Sequence, residues 1–319
     1  MRRRSGKRDL WSGIAGAWGE AVVDERAIVS LPKVSSPSRA RTARVRSASL
    51  SLWLTRLVLI AVTGGSLLPT LYILAISFKG GESLYTSTLI PQTFTLENYS
   101  RLLNESKFSL WVRNSLILGI GAGILSLLCA TFGGYAFSRF HFRGRRHGIL
   151  LLFIVQMLPS TVSIVAIFRM LHLAGLINKL EGLILVFGLG TSALSVWLLK
   201  NYLDSIPREL DESAQVDGAD HWQVFWQILF PLLQPMLVAQ FIFHFIGVYN
   251  EYLTATIVLS DPDLYPLGVG LRAYVSGAYQ TNWTAFCAAS VLGSLPILAI
   301  FFLAQRLLVE GLTRGALKG

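Results

Sequence analysis

The residues of this chain whose types and spacing invite a chemical reading form one polar island, Glu212-Ser213-Ala214-Gln215-Val216-Asp217-Gly218, which runs on to Ile228-Leu229-Phe230-Pro231. No clustered catalytic or metal-ligating set accompanies it, and neither cysteine, Cys129 nor Cys287, belongs to a metal or disulfide spacing. The island's chemistry is therefore recognition. Pro207 opens a helix at its first position. Glu209, Asp211 and Glu212 crowd the first turns, where carboxylates meet the positive end of the helix dipole. Asp217-Gly218 is a turn signal. A second amphipathic stretch then runs from Asp220 through Trp222, Val224, Phe225 and Ile228 and stops at Pro231. The pattern predicts helix, glycine turn, helix. The alternative is a solvated loop, against which Trp222, Phe225 and Trp226 argue, because they need a membrane or a partner to cover them.

The surroundings set what such a hairpin can meet. Of 319 residues 53% are hydrophobic and only 14% charged, against nearer a quarter charged in soluble chains. Uncharged runs cover 57–78, 114–138, 148–168, 182–199, 221–250 and 273–305, each at least eighteen residues long. About 20 apolar helical residues cross a bilayer core, so the fold class is all-α integral membrane with six transmembrane helices. We place the spans near 57–78, 114–138, 148–168, 182–199, 232–252 and 283–305, the fifth starting at Pro231. Residues 1–50 read as a cytoplasmic, disordered tail and 51–319 as the transmembrane domain. With the N-terminus inside, interior segments hold 21 of the 28 Lys and Arg, which puts both termini and the island in the cytoplasm. The net charge of +10 flanks the spans, where it meets anionic lipid; it does not point to nucleic acid.

Other polar residues lie within the spans. Glu251 follows thirty uncharged residues, and a carboxylate at that depth faces water, a partner helix or a cavity. Gln156, Ser160, Tyr249 and Asn250 are candidates to line a cavity or path, and each alone reads more readily as a helix-packing group. Ser160 also follows Pro159, whose freed carbonyls it could satisfy. His244 reads as a packed histidine.

The order Glu-Ser-Ala, three residues, Gly218, nine residues, Ile228, one residue, Phe230, Pro231 resembles the EAA loop of bacterial ABC importer permeases. Ser213 and Phe230 depart from the usual Ala and Leu. Asn114-Ser115, Gly134-Tyr135-Ala136-Phe137-Ser138-Arg139 and Tyr249-Asn250-Glu251-Tyr252 are similar to other segments of the carbohydrate permeases. The ending Glu310-Gly311-Leu312-Thr313-Arg314-Gly315-Ala316-Leu317-Lys318-Gly319 is similar to that of the maltose-type permeases. The resemblance, over roughly 55–319, implies a multi-pass permease subunit in a bacterial cell membrane. It implies a sugar or oligosaccharide as substrate and three partners: a second homologous permease, a dimer of cytoplasmic ABC ATPase, and an extracytoplasmic solute-binding protein.

The same resemblance implies that Glu212, Ser213, Ala214, Asp217, Gly218, Ile228 and Pro231 form the coupling helix and its turn. It further implies that Gly311, Leu312, Thr313, Gly315 and Lys318 make a second contact with the ATPase. The loop Ser260 to Asn282 would meet the binding protein. The chain has no Gly-x-x-x-x-Gly-Lys loop, so it binds no cofactor itself, and ATP and magnesium belong to the partner; the chain is not an enzyme. Two alternatives are a secondary active transporter, which would need intramembrane acids or broken helices in paired halves, and an ABC permease for a non-sugar solute such as glycerol-3-phosphate.

Overall fold

The computed structural model describes residues 39–81, 94–157, 160–276 and 282–316, with backbone alone for 39–51, 160–161 and 306–316. Helix α1 spans Arg39–Ser77 and contains Pro69. Contacts divide the chain within it, into Met1–Gly65 and Ser66–Gly319. In the first unit residues 39–50 are helical, and residues 1–38 of the expected tail lie outside the described residues. The second unit carries the polar island.

The second unit is built around one long helix. Short α2 (Glu97–Glu105) leads into α3 (Phe108–Arg139), and α3 packs against α6 (Leu180–Gly190), α7 (Ser192–Asp204) and α10 (Phe230–Tyr249). Small residues allow this close approach. A Cβ on Gly119 would lie 2.7 Å from the Phe245 ring of α10, and one on Gly134 would lie 3.2 Å from the backbone nitrogen of Lys200 in α7. At about 1.5 Å per residue the 32 residues of α3 reach about 48 Å, more than a bilayer core of about 30 Å, so its ends project beyond the apolar layer.

Among the described residues four helices are long and apolar enough to cross a membrane: Leu52–Ser77, Phe108–Arg139, His221–Tyr249 and Trp283–Gln305. Two bent pairs raise the number to six if each is one span. One joins α4 (Arg145–Met157) to α5 (Ser160–Leu173), with Val162–Leu173 at 104° to α4; the other joins α6 to α7 at 40°. The expected span at 182–199 is thus two helices meeting at Thr191. The island's second helix also differs from expectation. Helix α9 (His221–Gln223) passes through a π turn, Val224–Leu229, directly into α10, so no break falls at Pro231. Proline lacks an N–H, and the wider turn before it has already displaced the bonding that an unbroken α-helix would need there.

After α10 come α11 (Leu253–Val258), α12 (Leu267–Leu271) and α13 (Trp283–Ala316). Among the described residues three clusters of buried apolar side chains hold the unit together, and one of them underlies the polar island: Ala130, Leu199, Leu203, Val224, Leu229, Leu233 and Leu237.

Candidate functional site

The island folds as α8 (Glu209–Val216), a turn, and α9. The turn is fixed by two backbone bonds, Gly218 N to Gln215 O at 3.0 Å and Ala219 N to Ala214 O at 2.9 Å. This crossed pair around a left-handed residue is the Schellman ending of a helix, and Gly218 supplies the left-handed residue at φ +92°. Ala214 and Ala219 pack beneath the turn on the buried cluster, which explains why small apolar residues flank it. A capping box opens the second helix: Gln223 N donates to Asp220 Oδ1 at 2.7 Å, and Asp220 N donates to Gln223 Oε1 at 2.9 Å. The Asp-x-x-Gln spacing was a legible signal of that box.

The opposite face of the hairpin is open. Glu212, Ser213, Asp217 and Gly218 are exposed, Ile228 is half-buried, and Pro231 is exposed at the start of α10. Exposed carboxylates are ordinary, but exposed large apolar side chains beside them are not. Val216 is 87% exposed and Trp222 61% exposed. Phe225 and Leu229 are buried below, so the hairpin is anchored on one side and unpartnered on the other.

Its attachment depends on residues that spacing did not single out. Arg139, at the end of α3, places Nε 2.5 Å from Asp211 Oδ2 on α8. Its Nη1 donates to Leu203 O at 3.1 Å and its Nη2 to Ile206 O at 3.2 Å, two carbonyls at the end of α7. Helix ends leave such carbonyls without partners. Ser138 Oγ donates to Asp204 Oδ1 at 2.6 Å, and Arg208 Nη2 donates to Ser138 O at 2.8 Å. Tyr135 reaches His221 O with its hydroxyl at 3.3 Å and packs against Phe225, ring centroids 4.9 Å apart. Arg139 stood in a quoted motif, but only the fold reveals what it grips.

Four of the five residues read as path candidates have described side chains, and each of the four bonds a backbone group. Tyr249 is 3% exposed and its hydroxyl donates to Gly293 O at 2.9 Å, a packing contact between α10 and α13. Asn250 Nδ2 donates to Ile246 O, and Glu251 accepts from Thr254 N at 2.8 Å and Ala255 N at 3.1 Å, capping α11. Helix α10 ends at Tyr249, so Glu251 serves the next helix. Gln156 Nε2 donates to Gly190 O at 3.2 Å, and Thr191 Oγ1 lies 2.9 Å from His244 Nδ1, so both side chains serve the break between α6 and α7. Ser160 begins α5, and its side chain lies outside the described residues. Of the C-terminal set, Gly311, Leu312, Thr313 and Gly315 continue the backbone of α13, while Lys318 lies outside the described residues.

At the other end of α3, Asn114 and Ser115 hold a loop. Asn114 is fully buried and donates to Asp263 O at 2.8 Å and Tyr265 O at 3.1 Å, while Leu267 N donates to Ser115 Oγ at 2.8 Å. Lys107 Nζ lies 2.5 Å from Asp263 Oδ1 in the same loop. Asn178, at φ +57°, accepts from Ser260 N and Asp261 N.

Known proteins are similar to this chain over most of its length. Residues 42–314 match the family described as binding-protein-dependent transport system inner membrane component. The galactooligosaccharides transport system permease protein GanQ of Bacillus subtilis is 37% identical over 254 residues, covering 79% of this chain and 90% of that protein. The maltose/maltodextrin transport system permease protein MalG of Vibrio parahaemolyticus is 37% identical over 295 residues, covering 86% and 98%. The maltodextrin transport system permease protein MdxG of Bacillus subtilis is 31% identical over 251 residues, covering 79% and 90%. Among solved structures, a chain of a bacterial ABC transporter involved in the import of the acidic polysaccharide alginate superposes with a TM-score of 0.67 at 23% identity, covering 85% of this chain and 99% of that one. With the family matched over 273 residues and the fold shared, this chain belongs to the binding-protein-dependent transport system inner membrane components.

Proposed function

We propose that this chain is a transmembrane subunit of an ABC importer for a sugar or oligosaccharide, and that α8 with its Gly218 turn is the coupling helix docking on a separate ATPase. The observation that carries the coupling assignment is the two-sided hairpin: a half-buried alanine face packed on the core, a turn at φ +92°, and an outer face with Glu212 beside the uncovered Val216 and Trp222. An acidic, partly apolar surface of that kind fits a cleft with a basic group inside it. The carbohydrate assignment rests on the relatives, which are permeases of maltose, maltodextrin and galactooligosaccharide systems.

In this reading the chain pairs with a second, homologous permease, an ATPase dimer that binds ATP and magnesium, and a solute-binding protein on the far side of the membrane. Both termini lie in the cytoplasm, the tail 311–318 makes the second ATPase contact, and the loop 260–282 faces the binding protein. ATPase states that prefer one permease conformation shift it between inward- and outward-facing forms. Gln156, Ser160, Tyr249, Asn250 and Glu251 line the translocation path, and the bonds that Gln156, Tyr249, Asn250 and Glu251 make to backbone groups hold them along it.

The test is ATP-driven uptake by the whole importer carrying Glu212→Ala with Gly218→Pro. Uptake is expected to vanish while the protein still reaches the membrane. Normal uptake by the double variant would sink the coupling assignment.

A further inference from the structure

We infer that Arg139 is the positioning residue that makes the coupling helix rigid, by clasping the ends of α3 and α7 and the flank of α8 in one guanidinium. This rests on the coupling reading above. Between α7, which ends at Asp204, and α8, which starts at Glu209, only residues 205–208 connect the span to the hairpin. Four residues of chain do not transmit force along a fixed direction by themselves. Arg139 supplies the missing constraint, because its nitrogens meet Asp211 Oδ2 on α8, the Leu203 carbonyl at the end of α7 and the Ile206 carbonyl within the connection. The planar fork of arginine reaches several acceptors at fixed angles, which the point charge of lysine does not.

Burial makes this clasp more than a surface ion pair. The Arg139 and Asp211 side chains are 7% and 11% exposed, so salt screens them little. Buried ion pairs are a poor source of net stability, since desolvation offsets most of the attraction, and a well-supported use for them is to hold one geometry against others. Arg139 Nε and Asp211 Oδ1 are each buried with no hydrogen-bond partner, so Arg139 and Asp211 attract as an ion pair, while the directed bonds of the clasp run to the two carbonyls. Neighbouring bonds close the same joint from the other side: Ser138 holds Asp204 by its hydroxyl and Arg208 by its carbonyl, and Lys200 Nζ lies 2.5 Å from Asp204 Oδ2. Beside the clasp a cleft of about 170 Å³ opens toward Glu212 and Gln215, so the exposed contact face and its anchor share one short helix.

The experiment uses the complete importer in vesicles, with solute moved per ATP hydrolysed as the readout for wild type, Arg139→Gln, Arg139→Lys and Glu212→Ala. Arg139→Gln is expected to lower solute moved per ATP about tenfold with the subunits still assembled, and Arg139→Lys to restore part of it. A wild-type ratio in Arg139→Gln, with the ratio lost in Glu212→Ala, would overturn the clasp and leave the coupling reading standing. A wild-type ratio in Glu212→Ala would overturn the reading itself. If Arg139→Gln fails to accumulate, Arg139→Lys decides through a second measurement. Spin labels at Val216→Cys and Asn201→Cys, with Cys129 and Cys287 replaced by alanine, give the distance between α8 and α7. A broadened distribution in Arg139→Lys supports the clasp, and a width equal to that of the parent protein refutes it.

Discussion

Replacing Gly218 by alanine isolates the backbone requirement of the turn. Gly218 sits at φ +92°, and a Cβ placed there meets nothing within 4 Å. No clash, cavity or lost side-chain contact therefore enters the comparison. What remains is the cost of holding an L-residue in the left-handed region, about 1–2 kcal/mol. That lowers the weight of the observed turn against competing loop conformations by roughly 5- to 30-fold. The two backbone bonds from Gly218 and Ala219 are made only in this turn, so the direction of the exposed face changes with it. Initial uptake rates of the reconstituted importer should fall by up to that factor in Gly218→Ala. Gly218→Asn should fall less, because asparagine visits the left-handed region more readily. Membrane abundance should be equal in all three. Wild-type uptake in Gly218→Ala, or greater loss in Gly218→Asn than in Gly218→Ala, would refute the reasoning.

Three further perturbations follow from named contacts. Asp220→Ala removes the capping box to Gln223 and should cost about 1 kcal/mol, seen as a lower melting temperature of the detergent-solubilised protein; an unchanged midpoint would contradict it. Asn114→Ala leaves the carbonyls of Asp263 and Tyr265 without their donor, at about 1–3 kcal/mol; protease cleavage within 259–267 should quicken while the hairpin resists as before. Gly134→Ile puts a branched side chain where even a Cβ sits 3.1 Å from Leu199 Cβ; overpacking of about 1–3 kcal/mol should lower the melting temperature, whereas Gly64→Ala, with open space around it, should not.

Much of this architecture was legible because it is written in apolar length and in local turn chemistry. The last span was expected at 283–305 and the apolar part of α13 occupies Trp283–Gln305. The glycine turn followed from Asp217-Gly218, since few residues other than glycine adopt φ +92°. The break between α6 and α7 was not legible. No proline marks it, and its polar groups are met by distant partners, Gln156 for Gly190 and His244 for Thr191. Tyr249, Asn250 and Glu251 invited a cavity reading by residue type, and the bond each makes to a backbone group was not legible. Residue type states what a side chain can bond; the fold decides which partner reaches it first. Arg139 makes the same point, because its acceptors lie 64 to 72 positions away in sequence.

The most direct test of the docking claim is site-specific photo-crosslinking from Val216, which is 87% exposed on the outer face of α8. With a benzophenone amino acid at position 216 in the assembled importer, illumination should yield one adduct whose mass is this chain plus the ATPase subunit. Addition of Glu212→Ala should weaken it. Adducts with lipid alone, or with another permease chain and no ATPase, would contradict the account.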